Sequence, residues 1–277
     1  IKLGYKDTGK GDFKAEPTLE FTPIKGGVEQ KPFAFTEQGS FVNDITTNAI
    51  TESRGASTLG SGHSAISKSI SSIVIGSSGS LIHAQPLSVV VGGKNHKIEG
   101  AAAHAYGVNS QGSSVIVGGT GNVISASKNT VAVFQNTIIG GSSHMIDGDL
   151  LVNIANTVVG GNNHTISGGY FNIVLGGESN TIQGAYDDYP LVGPYSNTIL
   201  GGKQNIIKNA VSPGSGIIGG QDNVVVDHHN AWIIGMESKT STADDTVYVE
   251  NLDVDGTITA NEFHTSVTSA SIIYASG

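Results

Sequence analysis

The residues of this chain that could do chemistry are few, and they do not converge. Asp187 and Asp188, in the segment QGAYDDYPLVGPYS (183–196), could form a glycosidase-like acid pair. Such a pair must flank one bond, whereas adjacent residues on an extended strand point to opposite faces. Glu178, Asp222 and Asp227 are scattered over separate stretches, and in a chain this rich in Ser a Ser/His/Asp combination carries no weight without geometry. Adjacent His228 and His229 would diverge from a common metal, and the chain has no Cys to supply thiolates. Its Gly-Gly pairs lack the Lys-Ser/Thr and the helix of a phosphate-binding loop. The expectation is a protein that is not an enzyme, with no catalytic residue, no cofactor and no metal. The same 183–196 segment does suit recognition. Tyr186, Tyr189 and Tyr195 supply rings that stack, and Asp187 and Asp188 supply carboxylates that accept hydroxyl hydrogen bonds. A receptor or glycan contact is expected there; the alternatives are a folded-back loop or a contact between chains.

What positions these residues is a repetitive scaffold. Of the 277 residues 39 are Gly, only 13% are charged and 6% aromatic, while 38% are hydrophobic. A globular enzyme carries about a quarter charged residues, and a disordered tail carries less apolar content. Low charge with abundant Gly and β-branched residues suits stacked β-structure. The net charge of -9 and the lack of Lys/Arg clusters argue against nucleic acid as a partner. No apolar run approaches the ~18 residues of a membrane-spanning helix, and 1–10 lack the apolar stretch of a signal peptide.

The repeat is an apolar tripeptide followed by glycine: VVVGG (89–93), VIVGG (115–119), TIIGG (137–141), TVVGG (157–161), IVLGG (173–177), TILGG (198–202) and GIIGG (216–220). These place turn glycines at Gly92 and Gly93, Gly118 and Gly119, Gly140 and Gly141, Gly160 and Gly161, Gly176 and Gly177, Gly201 and Gly202, and Gly219 and Gly220. Single-glycine forms lead with Gly60, Gly76 and Gly235. Successive leading glycines are 16, 16, 26, 22, 20, 16, 25, 18 and 16 residues apart. None is closer than 16, so one coil is 16 residues and longer intervals contain insertions. Six residues after nine of the ten leading glycines stands Ile or Val, from Ile66 to Val225. Four residues after the same nine stands Ser, Asn or His, a position expected to adopt the left-handed backbone of a turn. Small polar residues, Ser72 to Ser215, recur four residues before the leading glycine.

Each coil therefore reads as strand, glycine turn, short second strand and loop. The first strand is apolar throughout, unlike the alternation of a strand with one wet face. A 16-residue coil is too thin to bury both faces, so one face requires neighbouring chains, and a symmetric homo-oligomer is the default. The central residues Val90, Ile116, Ile138, Val158, Val174, Ile199 and Ile217 are expected in the core of the roll or of a trimer. The fold class is all-β: a parallel β-roll or solenoid of about ten coils, roughly 45–50 Å long at ~4.8 Å per coil, within a homotrimeric fibre.

SSIVIG (71–76) and SSVIVGG (113–119) resemble units of the left-handed parallel β-roll of YadA-like trimeric adhesin heads, a likeness covering roughly 56–235. It implies a homotrimer with inner strands facing a threefold axis, although the coils here are longer and carry paired glycines. Residues 1–55 read as a neck or capping segment, 56–235 as the repeat domain and 236–277 as a C-terminal β connector. From Thr246 the sequence alternates with period two and is expected to leave the rod, with a hairpin signal at Asp255-Gly256. VENLDVDGTITA (249–260) resembles a connector of tailed-phage fibre and tailspike proteins, and SASIIYASG (269–277) resembles their junction with a cleaved intramolecular chaperone. Trp232 is expected to plug the last coil. EGAAAHAYGVNSQ (99–111) could hold a degenerate coil. The expected function is a structural and adhesive part of a phage tail fibre on the virion, with itself, other fibre or tail proteins and a host receptor or glycan as partners. A bacterial trimeric adhesin at the cell surface and a glycan-cleaving tailspike are the alternatives.

Overall fold

The computed structural model describes the backbone of short strands before residue 52, then residues 53, 55–59, 62–100, 112–126, 132–148, 152–183, 196–208, 214–250, 252, 253 and 255. Each apolar tripeptide forms a three-residue strand. Ser57–Leu59, Ile73–Ile75, Val89–Val91 and Val115–Val117 stack in parallel, and the series runs on to Trp232–Ile234. The register does not slip: Val74 faces Val90, Val90 faces Ile116, and Ile116 faces Ile138. A second parallel sheet of 10 strands, including Leu81–His83, Lys97–Glu99 and Thr165–Ser167, is built from the residues after the glycine turn. The architecture is a parallel β-solenoid of about eight turns, with no helix among the described residues. Ten leading glycines predict about ten coils. Eight steps lead from the strand Ser57–Leu59 to Gly216–Ile218, and strands at both ends prolong the ladders.

The central residue of each strand points inward. Val74, Val90, Ile116, Ile138, Val158, Val174, Ile199 and Ile217 from the first sheet meet Ile66, Ile82, Ile98, Ile124, Ile146, Ile166, Ile182, Ile207 and Val225 from the second. All are fully buried within one chain. Each such side chain contributes about 1.5–3 kcal/mol, so the interior is a continuous dry column. Residues flanking the central one face outward.

The glycine corner differs from expectation by one residue. The left-handed conformation falls on the third residue after the leading glycine, as at His63, Asn95, Ser143, Asn163 and Asp222. The fourth residue turns inward and is buried: His96, Asn122, His144, His164, Asn180, Asn205 and Asn223. Each side chain there accepts a hydrogen bond from the backbone N–H of its counterpart in the next coil. Asn122 Oδ1 takes the His144 N–H at 3.1 Å, His144 Nδ1 takes the His164 N–H at 3.2 Å, and Asn180 Oδ1 takes the Asn205 N–H at 3.0 Å. The physical reason is that this N–H lies at a corner, outside the strand ladder, and a buried donor must find a partner. The small polar residues before each first strand form a second such ladder, in which Asn172 N–H donates to Asn156 Oδ1 at 2.9 Å and Ser88 N–H to Ser72 Oγ at 3.2 Å.

Strands at both ends prolong the ladders. Phe41–Asn43 pairs in parallel with Ser57–Leu59 and Ala49–Thr51 with Ala65–Ser67, so the ladders begin before residue 56. Antiparallel strands Lys2–Gly4, Thr18–Thr22 and Phe33–Thr36 extend the first sheet beyond them. At the other end the alternating stretch does not leave the rod: Val247–Val249 pairs in parallel with Trp232–Ile234. Alternation is what a strand with one inward residue requires, and Tyr248 occupies that place opposite Ile233. Tyr248 and Met236 pack on the core and close it. Trp232 does not plug the coil; its ring lies over Gly216 on the outer face, where any larger residue at 216 would collide with it. Residues 256–277, including the expected hairpin glycine and the chaperone junction, lie outside the described residues.

Candidate functional site

Within a coil, the step from first strand to second strand never changes. The first strands begin at 57, 73, 89, 115, 137, 157, 173, 198 and 216, and the second strands eight residues later at 65, 81, 97, 123, 145, 165, 181, 206 and 224. From second strand to the next first strand the step is 8, 8, 18, 14, 12, 8, 17, 10 and 8 residues. All length variation therefore falls on one side of the roll, between the two sheets and opposite the glycine corner. The reason is local. The corner is closed by glycines and an inward polar ladder, so nothing can be inserted without breaking both. Among the described residues the third side has a short sheet, Ala132–Phe134, Val152–Ile154 and Gly169–Tyr170. In repeat architectures the side that bears the insertions is commonly the binding side.

Tyr186, Asp187, Asp188, Tyr189 and Tyr195 belong to this side but lie outside the described residues, as does the suspected extra coil at 101–111. The roots of their loop are described. Gln183 ends the second-sheet strand Thr181–Gln183, and the Ser196 N–H donates to the Tyr170 carbonyl at 3.0 Å. Ser196 stands in a column of left-handed corner residues with Ser71, Leu87, Ser113, Gln135, Ala155, Phe171, Asn230 and Asp245. Phe171 is 56% exposed and Leu87 54%. Sequence reasoning missed both, because their outward direction follows only from the corner geometry.

The turn glycines divide into two kinds. Gly140 and its leading equivalents have open space where a Cβ would go, but a left-handed backbone; Gly141 and the other second glycines are also pressed against a neighbour. A Cβ on Gly141 would strike the His144 imidazole and the Gly161 carbonyl. Where the second residue is Ser77, the fourth is Ser80, and their hydroxyls hydrogen-bond.

Other polar pairs among the described residues lie apart from one another. Ser67 Oγ and His83 Nδ1 are 2.6 Å apart on the outer face of the second sheet. Their strands spend their backbone N–H groups in the ladder, which leaves no oxyanion-binding donors at that spot. His228 bonds to Ser241 Oγ at 2.8 Å, while His229 Nδ1 faces Asp244 at 3.2 Å, so the two imidazoles do separate. No group of three or more His, Asp or Glu fit to hold a metal occurs among the described residues. Burial lowers the pKa of His96, His144 and His164.

The outer faces of the two sheets are unlike. The third residue of every first-sheet strand from Leu59 through Ile75, Val91, Val117, Ile139 and onward to Val249 is aliphatic. Along the second sheet the same column reads Ser67, His83, Glu99, Ser125, Asp147, Ser167, Gln183 and Lys208 before ending on Val226. That column is polar up to its last strand, whereas the first-sheet column is aliphatic throughout and half-exposed to exposed in a single chain.

Fold and site together define the class: an all-β parallel β-solenoid whose insertions all leave from one side. No known family model matches the chain, and no curated protein matches it.

Proposed function

We propose that this chain is a non-catalytic structural and adhesive segment of a homotrimeric fibre, most simply the tail fibre of a tailed phage. The single observation that carries this reading is the aliphatic outer column of the first sheet. At ~4.8 Å per coil it runs for roughly 50 Å as an unbroken aliphatic seam one residue wide. Its length and constant spacing suit an identical neighbour in the same register. The likeness of the coils to YadA-like heads supports three chains around one axis, and the 249–260 connector likeness supports a phage virion over a cell surface. In this reading the insertion-bearing side faces outward and meets a host receptor or glycan, while the ends join other fibre or tail proteins. Neither nucleic acid nor membrane insertion has a role in it; no helix of the described residues is long and apolar enough to cross a membrane.

Light scattering of the purified chain tests the assembly. A mass three times the 28.4 kDa of one chain is expected. A well-behaved monomer would remove the fibre reading, since the aliphatic column would then have no partner.

A further inference from the structure

We infer that Phe171 is a stacking platform for a pyranose ring of a surface glycan, bordered by Ser196 in the next coil and Ala155 in the preceding one. This rests on the reading that the insertion-bearing side is the contact side, and it names the residue and the ligand class. Phe171 sits at the corner where that side meets the first sheet, with φ 55. A bulky residue in the left-handed region is an outlier, and apart from Leu87 the other non-glycine residues of this column are smaller or polar: Ser71, Ser113, Gln135, Ala155, Ser196, Asn230 and Asp245. The backbone is held by the Phe171 N–H donating to the Ile154 carbonyl at 3.0 Å, yet the side chain is 56% exposed. An aromatic ring in an unfavourable conformation, turned to water, adds nothing to the stability of the chain; strain of this kind collects at functional sites.

The surroundings select the ligand. Ala155 is small and half-buried, while Ser196 and Gln135 are exposed polar residues in the same column. An exposed ring with hydroxyl and amide groups in its column fits the apolar C–H face of a sugar and the hydroxyls at its rim. A second copy of this chain is the less suitable occupant. The first-sheet column next to this corner is mixed, with Ser57, Thr137, Thr157, Thr198 and Gly216 among Ile73, Val89, Val115 and Ile173, so the wholly aliphatic seam lies along the opposite edge.

Replacing Phe171 by Gly supplies the experiment, because Gly suits the left-handed corner. Saturation-transfer NMR with methyl glucoside, methyl galactoside and methyl mannoside is the probe, alongside thermal melting and light scattering. The expected result is transfer to at least one glycoside in the unmodified protein, its loss in Phe171→Gly, an unchanged mass and an equal or higher melting temperature. A lower melting temperature would make Phe171 a structural contact, and a changed mass would place it in the chain–chain interface. No transfer in the unmodified protein, or undiminished transfer in the variant, overturns the proposal. The glycoside results do not bear on the assembly itself, which stands or falls on the mass of the unmodified chain.

Discussion

The imidazoles of His144 and His164 lie parallel, with planes 1° apart and ring centroids separated by 4.9 Å. That distance is the strand spacing of the stack, so the rings repeat as the coils do. Each His does the work of the Asn found in neighbouring coils. Nδ1 accepts the next backbone N–H, as Asn Oδ1 does, which leaves the proton of the neutral ring on Nε2. The Nε2 of His144 is directed toward the Gly160 carbonyl without reaching hydrogen-bond geometry. Protonation would convert the Nδ1 acceptor into a donor facing another donor, inside a dry column and beside a second imidazole.

The consequence is acid lability. Burial first, and the charge of His164 second, lower the His144 pKa from 6.5 to about 4; burial lowers those of His96 and His164. Below pH 6.5 the unfolded chain takes up protons that the folded chain refuses. Stability is therefore complete above 6.5 and falls as pH drops from there toward about 4. Melting temperatures at pH 7 and pH 4.5 should differ less for the double variant His144→Asn, His164→Asn than for the unmodified protein. Equal acid losses in both would show that the imidazoles are not responsible.

The paired glycines should tolerate alanine unequally. Gly140→Ala meets no neighbour and carries only left-handed strain, about 1–2 kcal/mol. Gly141→Ala adds a collision with His144 and the Gly161 carbonyl, for a further ~1–3 kcal/mol of overpacking. Thermal melts of the two variants should rank in that order, and a reversed ranking would refute the assigned orientation of the corner.

Aspartate substitutions separate the inner column from the outer one. Val90→Asp places a carboxylate in a fully buried interior and should unfold the protein or abolish its expression as a folded chain. Val117→Asp lies on the exposed aliphatic column, so it should keep the β circular dichroism spectrum and lower the mass seen by light scattering. Retention of the full mass by Val117→Asp would place the chain–chain contact elsewhere.

The Asn180 side chain ties its coil to the next one. It accepts the Asn205 N–H at 3.0 Å and donates to the Gly201 carbonyl at 3.0 Å. Asn180→Ala strands a buried N–H and should cost about 1–3 kcal/mol. Asn180→His keeps an acceptor at Nδ1 and should lose clearly less in the same denaturant titration. Equal losses would mean that the ladder contributes through packing volume alone.

The coil was legible in the sequence because every turn solves the same local problem with the same residues. A 16-residue interval, an apolar tripeptide, glycine, and Ile or Val six residues on are enough to specify stacked parallel strands in fixed register. That constant six-residue step also confined the insertions to the other part of the coil. Direction was not legible. Ile73, Val74 and Ile75 are alike in sequence, and only closure of the coil against Ile66 and Ile82 turns Val74 inward and leaves its neighbours outside. The left-handed residue of the corner likewise fell one place earlier than its Asn and His composition suggested, because the corner N–H needed an inward acceptor. Trp232 looked like a plug and covers an outer glycine instead, while Tyr248, read as part of a departing tail, closes the core. Composition and spacing determined the repeat, since those are properties of one coil. Which side of each residue meets water depends on where the next coil lies, and only the tertiary structure decides that.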